Sequence, residues 1–331
     1  MKLNYITTLL FAGATVFAPI TLAQENDDKK EDVEKIIVTG TNIARTIFDT
    51  PQSVSSFDED EIRKFTASSQ ADVLTQLPGI SAEGGGGEVA TNFFVRGLPS
   101  GGQFQFTPLE YDGIPAFSTF GLNSSAFDVY YRNDLGIERL EYVTGGVSNL
   151  FGPGSVAGII NYVSKTGTDV HEGTIQLELA DLEGRYRSDF AVSGPLGGDD
   201  TNTFYALSGF YRYDEGPLES GLESDGFQLR GNLKHEFDDG SGAVTFYGQL
   251  IDDEVQFFLP IPLDGDGRGR INGNDGREVF SVNSAEAASI SYAVPGGSFE
   301  TPIADGVNTR GGSFAFILDK ELNDEWAINT K

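Results

Sequence analysis

The chain has 331 residues, a formal net charge of −28 and no cysteine. Its length allows more than one domain. The charge excludes a nucleic-acid partner, which needs a basic surface, and the missing cysteines exclude disulfides, thiol catalysis and thiolate metal sites.

Lys2 precedes an apolar run from Ile6 to Leu22, closed by Thr21-Leu22-Ala23. Small residues at Thr21 and Ala23 suit cleavage before Gln24, so residues 1–23 read as an export signal. Residues 24–34 (QENDDKKEDVE) are charged and poor in apolar groups, a composition expected to be disordered. Lys35-Ile36-Ile37-Val38-Thr39-Gly40 follows. Three β-branched residues in a polar setting form a strand suited to adding onto another sheet's edge.

Asp58 with Glu61, and Ser69 with Asp72, have the spacing of capping boxes. The second opens a short helix with Val73, Leu74 and Leu77 on one face, stopped at Pro78-Gly79. Two β-prone runs, Glu138 to Val143 and Ile159 to Val163, flank a Gly-rich insert. From Gly167 onward period-2 alternation dominates. Phe227 to Phe237 alternates throughout, and Ile175, Leu177 and Leu179 alternate with Thr174, Gln176 and Glu178. Runs of about ten such residues suit membrane-spanning strands, although a soluble β-sandwich would alternate too. Short turns such as Asp238-Asp239-Gly240 contrast with long connections such as Pro260 to Glu278.

Leu77-Pro78-Gly79-Ile80, Phe93-Phe94-Val95-Arg96-Gly97, Tyr111-Asp112-Gly113-Ile114-Pro115, Ile137-Glu138-Arg139-Leu140-Glu141, Phe151-Gly152 and Gly158-Ile159-Ile160-Asn161 occur in that order. In this order they resemble the plug motifs of the TonB-dependent outer-membrane transporters, and EKIIVTG resembles the TonB box that precedes them. The resemblance covers roughly residues 34–167. One departure stands out: the family's Arg-Gly-Pro is replaced by Thr144-Gly145-Gly146.

The resemblance implies an α+β plug domain followed by antiparallel transmembrane β-barrel strands. The organisation expected is a signal peptide at 1–23, a linker with the TonB box at 24–45, the plug at 46–167 and barrel strands at 168–331. It implies a protein of the Gram-negative outer membrane, in contact with its lipid, that takes up a scarce nutrient with energy delivered by TonB. Lys35 to Gly40 would bind TonB. The plug apices would offer Gln103, Phe104, Gln105, Phe106, Phe117 and Phe120 to the ligand, while Arg96, Arg139 and Glu141 would lock or stiffen the plug. No lysine or arginine lies between Arg96 and Arg132. Aromatic faces with amides suit an oligosaccharide, so a carbohydrate is the ligand expected and a ferric siderophore the alternative. A secreted glycan-binding sandwich is the reading from another class.

No catalytic constellation is found, and neither an enzyme nor a cofactor is expected. Gly152 to Gly158 lacks dinucleotide-loop spacing. Asp264 to Gly269 places Arg268 at a calcium-ligand position. His171 and His235 stand alone. About six or seven strand candidates follow Gly167, against about 22 in a plugged transporter barrel. A part of a longer product, or a truncated copy, is therefore the expectation.

Overall fold

The computed structural model describes residues 36–37, 45–46, 53–65, 67, 69–83, 88–89, 91–98, 106–116, 127–146, 155–181, 184–198, 201–216, 223–256, 289–302, 306–323 and 325–331. The export signal, the charged tail and the Asp264 loop lie outside these.

Two short strands open the described chain. Ile36–Ile37 (β1) pairs antiparallel with Arg45–Thr46 (β2). A five-stranded sheet follows, made of Ser53–Asp58 (β3), Leu109–Tyr111 (β6), Ile114–Pro115 (β7), Ile137–Thr144 (β8) and Gly158–Ser164 (β9). Its order is β3-β8-β9-β6-β7, antiparallel except for the parallel pair β6–β9. Ile80–Glu83 (β4) and Asn92–Val95 (β5) form a separate antiparallel pair.

The helices form where the sequence provides caps. In Glu59–Lys64, Asp58 Oδ1 accepts the Glu61 N–H and Glu61 Oε2 accepts the Asp58 N–H, both at 2.9 Å. Ser69 and Asp72 do the same for Gln70–Leu74. Removing the first cap by Asp58→Ala is expected to lower plug stability by about 1 kcal/mol, read as a shift in the plug's denaturation midpoint. Val73, Leu74 and Leu77 turn into a core with Leu109, Leu140, Ile160 and Tyr162. Tyr131, Tyr111 and Tyr162 stack through it, with centroids 4.4 and 5.1 Å apart.

Two motifs prove to be turns. Arg96-Gly97 and Asp112-Gly113 each place two successive residues at left-handed φ: 52° and 78°, then 53° and 69°. That is the geometry of two-residue hairpin turns whose twist matches their strands. Asp112 suits it, because its carboxylate accepts from Ser164 N–H (2.8 Å) and Oγ (2.7 Å).

From Glu172 a second architecture begins. Glu172–Ala180 (β10), Arg185–Pro195 (β11), Thr203–Asp214 (β12), Ser224–Glu236 (β13), Gly242–Val255 (β14), Val307–Asn323 (β17) and Trp326–Thr330 (β18) pair in that order as one antiparallel sheet. Ser289–Val294 (β15) and Gly297–Pro302 (β16) pair with each other in the connection after β14. The connections 181–184, 215–223 and 256–306 lie at one end of the sheet. The connections 196–202, 237–241 and 324–325 lie at the other; the two longest, 215–223 and 256–306, both belong to the first end.

This wall is polar inside and apolar outside. Leu177, Leu179 and Phe314 are 72%, 82% and 72% exposed, whereas Arg212, Gln228 and Asp253 are at most 1% exposed. A water-soluble sandwich buries its apolar face. A wall that exposes leucine and buries arginine is built to have lipid on one side and a polar body on the other.

Candidate functional site

The polar body is the plug. Burying charge is costly unless each group is paired, so the inward charges of the wall must find partners, and they find them both within the wall and across the seam. Arg185 opens β11, Arg212 and Asp214 close β12, and Asp253 lies near the end of β14. All four stand at the end with the longer connections.

Glu88, from the plug, sits between Arg185 and Arg212, one carboxylate oxygen on each. Arg185 Nη1 also donates to Asp214 Oδ2 at 2.8 Å. Arg212 Nη2 donates to Asp253 Oδ1 at 2.7 Å, and Asp253 Oδ2 lies 2.9 Å from Nη2 of the plug's Arg132. Burial works to raise the Glu88 carboxyl, but the Arg212, Arg185 and Arg187 guanidiniums outweigh it and hold the group below the ordinary carboxylate range. The seam thus interlocks both signs: a plug acid with wall arginines, and a plug arginine with a wall acid.

Neutral contacts continue it. The Gln228 carboxamide accepts the Arg132 N–H (2.9 Å) and donates to the Arg132 carbonyl (2.8 Å), so one side chain copies a strand's double bond. Gln249 Nε2 donates to the Tyr130 carbonyl at 2.8 Å. Arg187, charge-paired within β11 to Asp189 by two contacts of 2.7 Å, also reaches the plug by donating to the Asn133 carbonyl at 2.8 Å.

Further toward the short-turn end, a cleft of about 380 Å³ opens between plug and wall. Tyr111, Asp112 and Ser164 line its plug side, and Arg230, Asn232 and Tyr247 its wall side. Arg230 Nη2 donates to Ser164 Oγ at 2.7 Å, and its guanidinium lies 5.3 Å from the Tyr111 ring centre.

The described residues among those singled out from sequence take no part in these contacts. Ile36 and Ile37 form β1, already paired with Arg45–Thr46. Lys35, Val38, Thr39 and Gly40 lie outside the described residues, as do Gln103, Phe104, Gln105, Phe117 and Phe120. Phe106 is half-buried and packs on the plug core. Arg96 is exposed at its turn. Arg139 pairs with Glu138 and with the buried Glu141, whose Oε1 is 2.8 Å from its Nε, so these ion pairs stay within β8. The seam residues Glu88, Arg132, Arg185, Arg212 and Asp253 were not singled out. Their signal is parity: each wall member occupies the polar face of its strand.

Glu110, in β6, is a buried carboxylic acid whose Oε2 has no hydrogen-bond partner among the described residues. Burial pushes it up to about 7, against the opposing pull of the Lys331 ammonium. The folded value thus lies above the unfolded value of 4.5. Below 4.5 both states hold the proton and nothing is lost. As pH rises from 4.5 through 7 the unfolded chain ionises first, and up to about 3 kcal/mol of plug stability should go. Denaturation across that interval checks this, and Glu110→Gln should flatten the dependence.

Comparison with known proteins agrees with this architecture. The family model "TonB-dependent Receptor Plug Domain" matches residues 46–159. The chain is 29% identical over 190 residues to the ferripyoverdine receptor of Pseudomonas aeruginosa, covering 56% of this chain and 21% of that protein. It is 29% identical over 255 residues to a vitamin B12 transporter of Photobacterium profundum, covering 74% of this chain and 38% of the other. It therefore spans about a fifth to two fifths of the length of these relatives. The solved pyoverdine outer-membrane receptor of Pseudomonas aeruginosa shares the fold, with a TM-score of 0.60 and 21% identity over 86% of this chain and 37% of the other. Residues 46–159 thus carry a TonB-dependent receptor plug domain, and the plug seated against an apolar-coated, polar-lined antiparallel wall is similar in sequence and fold to the receptors of the Gram-negative outer membrane.

Proposed function

We propose that the whole protein takes up a bulky, iron-bearing metal chelate across the outer membrane, energised by TonB. The carrying observation is the plug held by paired charges against a wall of transporter type. The likeness to a ferripyoverdine receptor supports the ligand class, and the ligand named for the second relative, vitamin B12, is also a large metal complex. This reading takes the ferric chelate, the alternative expected from the sequence, in place of the oligosaccharide. That reading rested on a plug interval without lysine or arginine, and it left the wall out of account. Arg185, Arg187 and Arg212 give the lumen the cationic forks that the plug apices lack.

Ligand would bind at the end with the longer connections, which in barrels of this type faces outward. TonB would take Ile36 to Thr39 as an added strand, displacing Arg45–Thr46 from Ile36–Ile37. The test uses the full-length gene product in a deletion strain under iron limitation, supplied in turn with ferric siderophores and with oligosaccharides. Growth rescue by a ferric chelate is expected; rescue by an oligosaccharide alone would overturn the reading. In the same assay Ile37→Pro should abolish uptake while leaving ligand binding intact, because proline removes a strand donor. Wild-type uptake by that variant would refute the role of the segment.

A further inference from the structure

Glu88 is held in an unusual way for a structural carboxylate. Two guanidiniums from different strands of the wall converge on it, one per oxygen. Arginine forks recognise carboxylates and similar anions through this kind of paired donation. Neither fork depends on Glu88 for its position. Asp214 holds Arg185 at 2.8 Å, and Asp253 holds Arg212 through Nη2 at 2.7 Å and Nε at 3.1 Å. Arg185 also keeps a buried Nη2 with no hydrogen-bond partner among the described residues. The wall therefore presents more donors than the plug fills. Glu88 retains 14% of its side chain in solvent, against 6% for Arg185 and 1% for Arg212, so the carboxylate is the most accessible member of the cluster. The plug, with no cation between Arg96 and Arg132, offers an anionic ligand nothing comparable over that interval.

We infer that Arg185 and Arg212 form an anion-recognition site in the barrel wall, that Glu88 occupies it as an internal stand-in, and that an anionic arm of the incoming chelate binds by exchanging with Glu88. The class of arm is a carboxylate not engaged by the metal, which presents two oxygens as Glu88 does. The choice of a chelate rests on the uptake reading above; the exchange itself does not. One anion replaces another, so the buried guanidiniums never lose their charge balance. The exchange links two events: ligand arrives on the wall, and a plug carboxylate is released from it. It also makes Glu88 a competitor, because the apparent affinity falls with the fraction of sites it leaves open.

The experiment uses the full-length receptor in detergent micelles, with citrate as a polycarboxylate probe followed by titration calorimetry. Glu88→Gln keeps the side chain's size and removes its charge; it should tighten citrate by about tenfold or more. Glu88→Ala should do the same and serves if the glutamine variant folds poorly. Heat-modifiable migration reports that each barrel is intact. Adding Arg185→Lys to Glu88→Gln keeps the charge but removes the fork, and should abolish most of the gain. Unchanged citrate binding in both Glu88 variants, or a gain that survives Arg185→Lys, overturns the inference. A receptor that imports no ferric chelate yet shows the fork-dependent gain would sink the uptake reading and leave the exchange standing.

Discussion

Asp253→Ala is expected to loosen the plug from the wall more than any other single truncation in the seam. Asp253 is fully buried and its two oxygens serve different bodies, Oδ1 on Arg212 of the wall and Oδ2 on Arg132 of the plug. Removing it leaves guanidinium charge on both sides without the carboxylate between them. Breaking a buried pair in this way costs about 3–5 kcal/mol. The loss should appear as protease sensitivity of the plug and a lower denaturation midpoint in the full-length receptor, with the wall still heat-modifiable. Pairing Asp253→Leu with Arg132→Met should recover only the plug's share, since it removes the stranded Arg132 charge but leaves buried Arg212 with Glu88 alone. A single variant within about 0.5 kcal/mol of wild type would show the seam to be incidental.

Gly158→Ala should be nearly as damaging, for a steric reason. Gly158 opens β9 at φ +140°, and a Cβ there would stand 2.3 Å from the Val143 carbonyl oxygen and 2.9 Å from the Tyr142 ring. Both obstacles belong to β8, the neighbouring strand, and Tyr142 is fully buried. Alanine must part β8 from β9 where Thr144 faces Gly158. Backbone strain and a broken ladder together should cost at least about 3 kcal/mol. Limited proteolysis of the purified receptor would check this; a plug as resistant as wild type would contradict the close approach.

The sequence was legible where one local rule sufficed. Asp58 and Ser69 cap helices because side chain and backbone meet three residues apart, a relation visible in the letters alone. The wall strands were legible because lipid on one side and plug on the other impose a strict period of two. The seam was harder to read. Glu88 meets Arg212 across 124 residues, and Arg132 meets Gln228 across 96. Alternation says that Arg212 points inward; it does not say which plug residue waits there. Arg96 shows the converse. The letters suggest a charge for a lock, and the structure adds a left-handed turn position, with backbone strain of about 1–3 kcal/mol for a residue other than glycine.

The order of strands in the plug sheet governs when it can form. Its middle strands, β8 and β9, are the last of the five to be made; β3 pairs only with β8, more than eighty residues further on, and β6 needs β9 as its parallel neighbour. Such distant pairings close slowly, because the loop must be ordered before contacts repay it. Until Thr144 has been delivered β3 has no partner strand, and until Ser164 nothing joins β3–β8 to the β6–β7 hairpin. The plug should therefore cross the periplasm as an open chain, available to holding chaperones, and condense only as Glu172, the first residue of the wall, comes into reach.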